Sequence, residues 1–331
     1  MTPALSRLYC GPLEHLTPPF IGEVFPRDAI RGEALLDAPV LDALLARFAT
    51  QYQGDDLKAI ASLWSKWHFA SVAAPALAAN LLLERDLPLA LDEMAIITNA
   101  EGRTTQLALP HEGRPLGSLD AFTRFEQLLQ GHVAPLVQTL ACVSGASPKV
   151  FWSNFGNYFE HFSRAAEQHP MALPGLADEA LRLVDHRVYP DGRRNPLFMP
   201  VRYLVDDAGE HHRTRRLCCL RYRLPEFAYC GNCPLEGCAP RAAKTSAEPE
   251  AKTTTAKETK AKRANTRRTT ANADGPQALD AGVARHETQR EDRHEARSEA
   301  RREALRDAPR QSAPQTPGTE GVAATSATVA G

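Results

Sequence analysis

The chain has 331 residues, of which 43% are hydrophobic and 24% charged, and its formal net charge is −1. This length is ample for a single buried core. Residues 241–331 carry 17 Lys and Arg against 13 Asp and Glu, which leaves a net charge of −5 on residues 1–240. Neither part concentrates the positive charge that strong phosphate binding needs, so no nucleic-acid partner is expected.

The compartment follows from the cysteines and from the lack of an export signal. The first ten residues have no apolar segment of the length that a signal peptide needs. The longest mostly apolar stretch, residues 69–83, is shorter than the roughly 20 residues that cross a membrane. Seven cysteines in such a chain fit a reducing compartment in which thiols bind metal. The sequence therefore predicts a cytoplasmic protein.

In chain order, the predicted elements are an irregular N-terminal arm over residues 1–31, five helices and four short strands. Apolar residues at helical spacing predict helices over residues 32–52, 55–85, 118–143, 149–168 and 176–187. Alternating residues predict strands over 93–99, 104–109, 197–206 and 211–222, joined as two hairpins. Asp55 or Asp56 is the expected N-cap of the second helix, and Pro75 and Pro135 should kink or break their helices.

These elements predict the α+β class, mainly α with small β-hairpins, in a single domain over residues 32–240. Residues 241–331 contain no Phe, Trp, Tyr or Ile and only two Leu. Such a segment cannot bury enough apolar surface to order itself, so it is predicted to be a disordered low-complexity tail.

Four cysteines lie within one short segment, residues 215–238, in the spacing C-C-x10-C-x2-C: Cys218, Cys219, Cys230 and Cys233. Four thiolates suit either tetrahedral zinc or an iron–sulfur cluster. Side chains of adjacent residues diverge, so the vicinal pair does not easily bind one ion. A [2Fe-2S] cluster, which shares four thiolates between two irons, relaxes this difficulty. A structural zinc site and buried thiols without metal stay open as alternatives.

The remaining cysteines and two nearby histidines are expected to play no part. Cys10 and Cys142 should pack as small apolar residues, and Cys238 is interpreted as a spare thiol. His211 and His212 could act as ligands, but four thiols make them unnecessary.

The cysteine segment resembles the C-terminal signature of the FhuF-like ferric-siderophore reductases. The chain reads Arg215-Arg216-Leu217-Cys218-Cys219, then Tyr222-Arg223-Leu224-Pro225, then Cys230-Gly231-Asn232-Cys233. Two upstream stretches are also similar to the family, Ser62-Leu63-Trp64-Ser65-Lys66-Trp67 and Phe151-Trp152-Ser153-Asn154-Phe155-Gly156. The resemblance covers about residues 55–238. It implies a [2Fe-2S] protein whose cluster ligands are the four cysteines.

The resemblance further implies one-electron reduction of siderophore-bound Fe(III), with a siderophore of the hydroxamate type and release of Fe(II) into the cytoplasm for iron assimilation. The expected partners are the ferric siderophore and an electron donor that is a flavoprotein, a ferredoxin or an NAD(P)H-linked reductase; peripheral association with the inner membrane is compatible with this function. The alternative is a zinc-stapled ligand-binding module without redox activity. A siderophore-assembly enzyme is a third hypothesis, and no nucleotide-binding motif supports it.

Two groups of residues complete the predicted site. Trp64, Trp67, Trp152 and Asn154 are predicted to line the siderophore pocket, the alternative being that the tryptophans pack in the core. Arg215 and Arg216 are predicted to tune the cluster or to attract the electron donor, the alternative being a solvated pair at the end of a strand.

Overall fold

The computed structural model describes residues 5–205 and 209–235, and these confirm the mainly helical α+β class. The helices are α1 (Ala38–Ala49), α2 (Leu57–Leu83), α3 (Ala134–Ser144), α4 (Pro148–Ala166) and α5 (Asp178–Asp185), with a π-helix over Gln127–Val133. The strands are β1 (Phe20–Ile21), β2 (Ile30–Arg31), β3 (Arg85–Asp86), β4 (Ala95–Thr98), β5 (Thr104–Leu109), β6 (Arg114–Pro115), β7 (Val201–Val205) and β8 (His211–Arg215). Short 3-10 helices cover Leu5–Leu8, Gly11–Leu13, Gly32–Leu36 and Arg221–Arg223. The predicted tail and Cys238 lie outside the described residues.

Helix α2 runs through the core and is buried along most of its length. The Asp56 carboxylate caps its N-terminus by accepting a hydrogen bond from the backbone N–H of Ala59 at 3.1 Å, which confirms the predicted cap. Its main partner is α4, against which Phe69 packs edge-to-face on Phe155 at 5.5 Å. Pro75 lies inside α2, yet the helix continues to Leu83, so the predicted break does not occur.

The N-terminal arm is more ordered than its composition predicts. Strand β1 pairs with β5 in parallel and β2 pairs with β4 antiparallel, which completes a four-stranded sheet of order β1-β5-β4-β2. The arm also buries Leu5, Leu8 and Leu13 in the core. Two-residue strands are too short to show an alternating pattern, so only the pairing partners reveal them.

Both predicted hairpins are confirmed. Strand β4 pairs antiparallel with β5, and β7 pairs antiparallel with β8. In the first hairpin, the turn between the strands places Gly102 at φ +80°, a conformation that glycine adopts without strain. Among the described residues, none of the helices combines the length and the hydropathy that crossing a membrane requires.

The π-helix and α3 replace the single helix that the sequence predicts over residues 118–143. Pro135 has no N–H, so the carbonyl of Gly131 loses its partner within the helix. That carbonyl instead accepts from the backbone N–H of Leu91 at 3.0 Å. A Cβ at Gly131 would lie 2.9 Å from the Cβ of Ala90, so glycine permits this close approach.

The π-helix also delivers His132 to a buried histidine pair. His132 Nδ1 donates to the carbonyl of Leu89 at 2.8 Å, which leaves its Nε2 as the acceptor for His68 Nε2 at 2.9 Å. His68 Nδ1 then accepts from the Thr104 hydroxyl at 3.2 Å. Both imidazoles are therefore neutral in the fold, and they join α2, β5 and the π-helix.

This pair predicts an acid-sensitive fold. Burial lowers the pKa of His132 to about 4, although its hydrogen bond to Leu89 opposes the shift. Burial and the neighbouring His132 also lower the pKa of His68 well below its ordinary value. Because the unfolded chain binds protons near pH 6.5 and the folded pair does not, stability falls as the pH falls from about 6.5 to about 4. We expect His132 alone to account for a loss of about 3 kcal/mol.

Urea unfolding at pH 7 and pH 4.5 measures this effect. His132→Gln should show a smaller loss of unfolding free energy between the two pH values than the wild type, while the exposed His186→Gln should match the wild type. An equal pH dependence in wild type and His132→Gln would contradict the account.

Candidate metal centre

The cysteine segment begins where β8 ends and folds back on that strand. The backbone N–H of Arg215 donates to the carbonyl of Asn232 at 2.8 Å, and the N–H of Cys233 donates to the carbonyl of Cys230 at 3.0 Å, which closes the Cys-x2-Cys loop. Leu220 has a φ of +63°, a left-handed conformation that is unusual for a non-glycine residue. This turn reverses the chain directly after the vicinal pair and brings the pair to face the loop.

The four sulfurs form two close pairs. Cys218 Sγ lies 4.0 Å from Cys233 Sγ, and Cys219 Sγ lies 3.8 Å from Cys230 Sγ. Because the side chains of Cys218 and Cys219 diverge, each of them lies close to a different member of the Cys-x2-Cys pair. Within the described part of the chain, no three His, Cys, Asp or Glu side chains gather around a point for one ion. Two thiol pairs fit a centre with two irons.

Three of the four thiols are buried, and Cys218 is half-exposed. Burial, with the neighbouring thiols, raises the pKa of Cys218 to about 12. The hydrogen bond between the sulfurs of Cys219 and Cys230 lowers the pKa of Cys219 well below its usual range and raises the pKa of Cys230. The positive charges of Lys66 and Arg215 favour the thiolate form of both. Cys219 is therefore the thiol that the site itself favours as a thiolate, and the two buried cations are the groups that offset burial at Cys219 and Cys230.

A buried amide connects this segment to the two long helices. The Asn154 side-chain N–H groups donate to the Ser62 carbonyl at 3.1 Å and to the hydroxyls of Ser62 and Ser65 at 2.9 Å each. Its carbonyl oxygen accepts from the guanidinium of Arg215. The Ser62 hydroxyl in turn donates to the carbonyl of Cys219 at 2.7 Å. Helices α2 and α4 and the cysteine segment therefore share one hydrogen-bond network.

A second network lies one turn further along α4. Asn157 Oδ1 accepts from Asn232 at 3.0 Å and from Arg213 at 3.0 Å, and Arg213 forms a buried ion pair with Glu160 at 2.7 Å. Although burial raises the pKa of Glu160, the charges of Arg213 and Arg164 and the hydrogen bond from the Tyr203 hydroxyl hold it at about 2. The carboxylate stays ionised and anchors β8 to α4.

The structure separates the two arginines that the sequence groups together. Arg215 is 1% exposed and lies beside the thiols. Arg216 is exposed, and its guanidinium donates to the carbonyl of Phe198 at 2.6 Å. Successive residues of a strand point to opposite faces, which sends the two side chains apart. The tuning role stays a prediction for both arginines, one of them buried and the other exposed.

The predicted pocket wall is also divided. Trp64 is fully buried, with its indole N–H donating to the Gly102 carbonyl at 3.0 Å and its ring stacked on His68 at 4.9 Å. Asn154 is fully buried as well. Trp152 is half-buried against the core, and Trp67 borders a cavity. The pocket prediction is corrected for Trp64 and Asn154, whose polar atoms serve internal hydrogen bonds.

Lys66 is a functional candidate that the sequence reasoning missed. It is 0% exposed, one helical turn from Ser62 on α2, and its charge acts on Cys219 and Cys230. A lysine within a 27-residue helix that is otherwise mostly apolar is a signal that could have identified it. Buried lysines are rare unless their charge is balanced.

The Asn154 network makes a prediction that differs from a pocket role. Asn154→Ala should lower the unfolding free energy by about 1–3 kcal/mol, since it removes one buried hydrogen-bond partner from each of Ser62, Ser65 and Arg215. Chemical denaturation measures this loss, and the exposed Gln138→Ala on α3 serves as the control for an amide-to-methyl change. Unchanged stability in Asn154→Ala would return this residue to the list of pocket candidates.

Comparison with known proteins adds the cofactor. Residues 62–211 match the family described as ferric iron reductase FhuF-like transporter, and residues 215–235 match the FhuF 2Fe-2S C-terminal domain. A protein named ferric siderophore reductase, from Escherichia coli (strain K12), is 28% identical over 214 residues, which span 60% of this chain and 76% of that relative.

The two family matches cover more than half of the chain. The second encloses all four clustered cysteines and confirms the predicted [2Fe-2S] cofactor over the zinc alternative. The chain therefore belongs to the FhuF-like ferric iron reductase family and carries its 2Fe-2S C-terminal domain.

Proposed function

We propose that this protein transfers one electron to Fe(III) in a ferric siderophore, and that Cys218, Cys219, Cys230 and Cys233 hold the [2Fe-2S] cluster. The observation that carries the proposal is the arrangement of the four sulfurs in two pairs, at 4.0 and 3.8 Å, inside the segment that matches the 2Fe-2S domain. The name of the bacterial relative supports the substrate class. When bound, a [2Fe-2S] cluster accepts one electron and passes it on.

One-electron reduction releases iron without chemical change to the chelator. The hard oxygen donors of a siderophore bind Fe(III) more tightly than the softer Fe(II). Each Fe(III) gains one electron and a donor loses one; we propose a flavoprotein, a ferredoxin or an NAD(P)H-linked reductase as that donor. We further propose that the chelate is of the hydroxamate type and that Fe(II) is released into the cytoplasm.

The residues around the thiols suit this role. Lys66 and Arg215 place two buried positive charges beside Cys219 and Cys230. Electrostatic interactions are stronger in a buried site than in water, so these cations favour a centre that has gained negative charge. Cys218 is half-exposed, which leaves one edge of the segment open to a redox partner.

Serine variants test the ligand set and the function together. Cys218→Ser, Cys219→Ser, Cys230→Ser and Cys233→Ser should each lose most of the bound iron and sulfide and the visible absorption after anaerobic purification. Wild-type protein reduced beforehand and mixed with a ferric siderophore should pass one electron per cluster to the chelate, so that a ferrous chelator traps one Fe(II) for each cluster oxidised. The exposed Cys142→Ser is the matched control and should keep both properties. A colourless Cys142→Ser together with a fully loaded Cys219→Ser would refute the assignment.

Lys66→Met tests the electrostatic role of the buried lysine. The variant keeps an unbranched side chain and removes the charge, so the potential of the cluster should fall by roughly 60 mV or more, a tenfold change for a one-electron couple. A redox titration followed by electron paramagnetic resonance measures the shift. Lys58→Met, on the exposed side of the same helix, should leave the potential unchanged. Equal potentials in the Lys66→Met variant and the wild type would show that the lysine charge is screened from the cluster.

A further inference from the structure

A cavity of about 720 Å³ lies between α2, β5 and the N-terminal arm. Ligand pockets for small molecules have volumes of roughly 300–1,000 Å³, so this one is large enough for a bulky chelate. Its walls include Tyr9, Leu16, Trp67, Ser71, Arg103 and Thr105. The cavity therefore offers aromatic and aliphatic surface next to hydroxyl groups.

The charges on the cavity wall favour a neutral or anionic ligand. No Asp or Glu belongs to the described lining. The guanidinium of Arg103 lies over the Trp67 ring, with its central carbon 4.2 Å from the ring centroid. No salt bridge within the described residues engages Arg103. One cation is thus held in place without a carboxylate partner.

One polar atom on this wall has no internal role. The buried hydroxyl of Tyr9 has no hydrogen-bond partner among the described residues. Buried polar groups are nearly always hydrogen-bonded, so an exception calls for an explanation. A ligand oxygen that displaces the side chains enclosing this hydroxyl would supply the missing partner.

The Trp67 end of the cavity lies on the same helix as the contact with the cysteine segment. Trp67 follows Lys66 directly and lies five residues after Ser62, about 7.5 Å along the α2 axis from the contact with Cys219. On the other side, the charge of Arg103 acts on Tyr52, whose ring packs on Phe227 at 5.6 Å. Phe227 lies three residues before Cys230 in the sequence. Helix α2 on one side and the contact of Tyr52 with Phe227 on the other therefore link this end of the cavity to the cysteine segment through intervening residues.

We propose that this cavity binds the ferric chelate, with an apolar arm of the ligand against Trp67, Arg103 facing its negative oxygens and the Tyr9 hydroxyl donating to one of them. The assignment rests on the proposed function for the identity of the ligand. A second cavity, of about 390 Å³, is lined by Glu160 and Arg164, which already form an ion pair with each other. It is the smaller of the two cavities.

Binding is measured without electron transfer by using the gallium(III) complex of a linear trihydroxamate, because Ga(III) is not reduced under these conditions. Equilibrium dialysis with the holoprotein gives the dissociation constant. Tyr9→Phe should weaken binding about fivefold through the loss of one hydrogen bond, and Arg103→Met at least tenfold. Tyr189→Phe is the matched control, since its buried hydroxyl also has no partner among the described residues but does not line this cavity.

Tyr9→Phe removes no hydrogen bond among the described residues, so its melting temperature should equal that of the wild type. The test therefore remains decisive even if Arg103→Met fails to fold. Wild-type affinity in Tyr9→Phe, or no binding of the gallium complex by the wild type, overturns the assignment. Reduction of the ferric complex by prereduced wild type is measured separately. Reduction that proceeds while Tyr9→Phe binds gallium normally overturns the cavity alone. Tyr9-dependent binding without any reduction overturns the proposed function alone.

Discussion

The buried amide of Asn154 is the contact on which the metal centre depends. It connects Ser62 and Ser65 on α2 with Arg215 at the end of β8, and Ser62 continues the network to the backbone of Cys219. Each group would be costly to bury alone. Because these donors and acceptors satisfy one another, a buried hydrogen-bond network can lie between two otherwise apolar helices. The network holds the cysteine segment in one defined position.

The same buried region contains two positively charged side chains. Lys66 and Arg215 are both almost fully buried, and both lie near the thiols. Two cations in such a place are tolerated only where negative charge offsets them. The charges of Lys66 and Arg215 act on Cys219 and Cys230 and favour the thiolate forms of both. The neighbouring ion pair of Arg213 and Glu160 is balanced within the protein and serves as an anchor for β8.

Backbone geometry decides how the thiols meet. The left-handed Leu220 turns the chain after the vicinal pair, and the loop between Cys230 and Cys233 folds back through the hydrogen bond from Arg215 to Asn232. As a result, Cys218 lies next to Cys233 and Cys219 lies next to Cys230. The cavity next to α2 depends equally on remote segments, because one wall comes from the N-terminal arm and another from β5.

The sequence alone determined the features that depend on local patterns. Helical periodicity, the Asp56 cap, the alternation in the hairpins and the cysteine spacing involve residues that are near one another in the chain, so the α+β class and the cofactor could be predicted. Short pairings with no pattern of their own, such as β1 with β5, could not.

Only the tertiary structure decided which side chains meet across long separations. It buries Trp64 and Asn154, leaves Arg216 exposed against Phe198, brings the charge of Lys66 to Cys219 and joins His68 to His132. A tryptophan or a lysine at a given position has the same local signature whether it faces a cavity or the core. The physical reason is that burial and hydrogen-bond partners are properties of the packed chain, set by helices and strands that are remote in sequence.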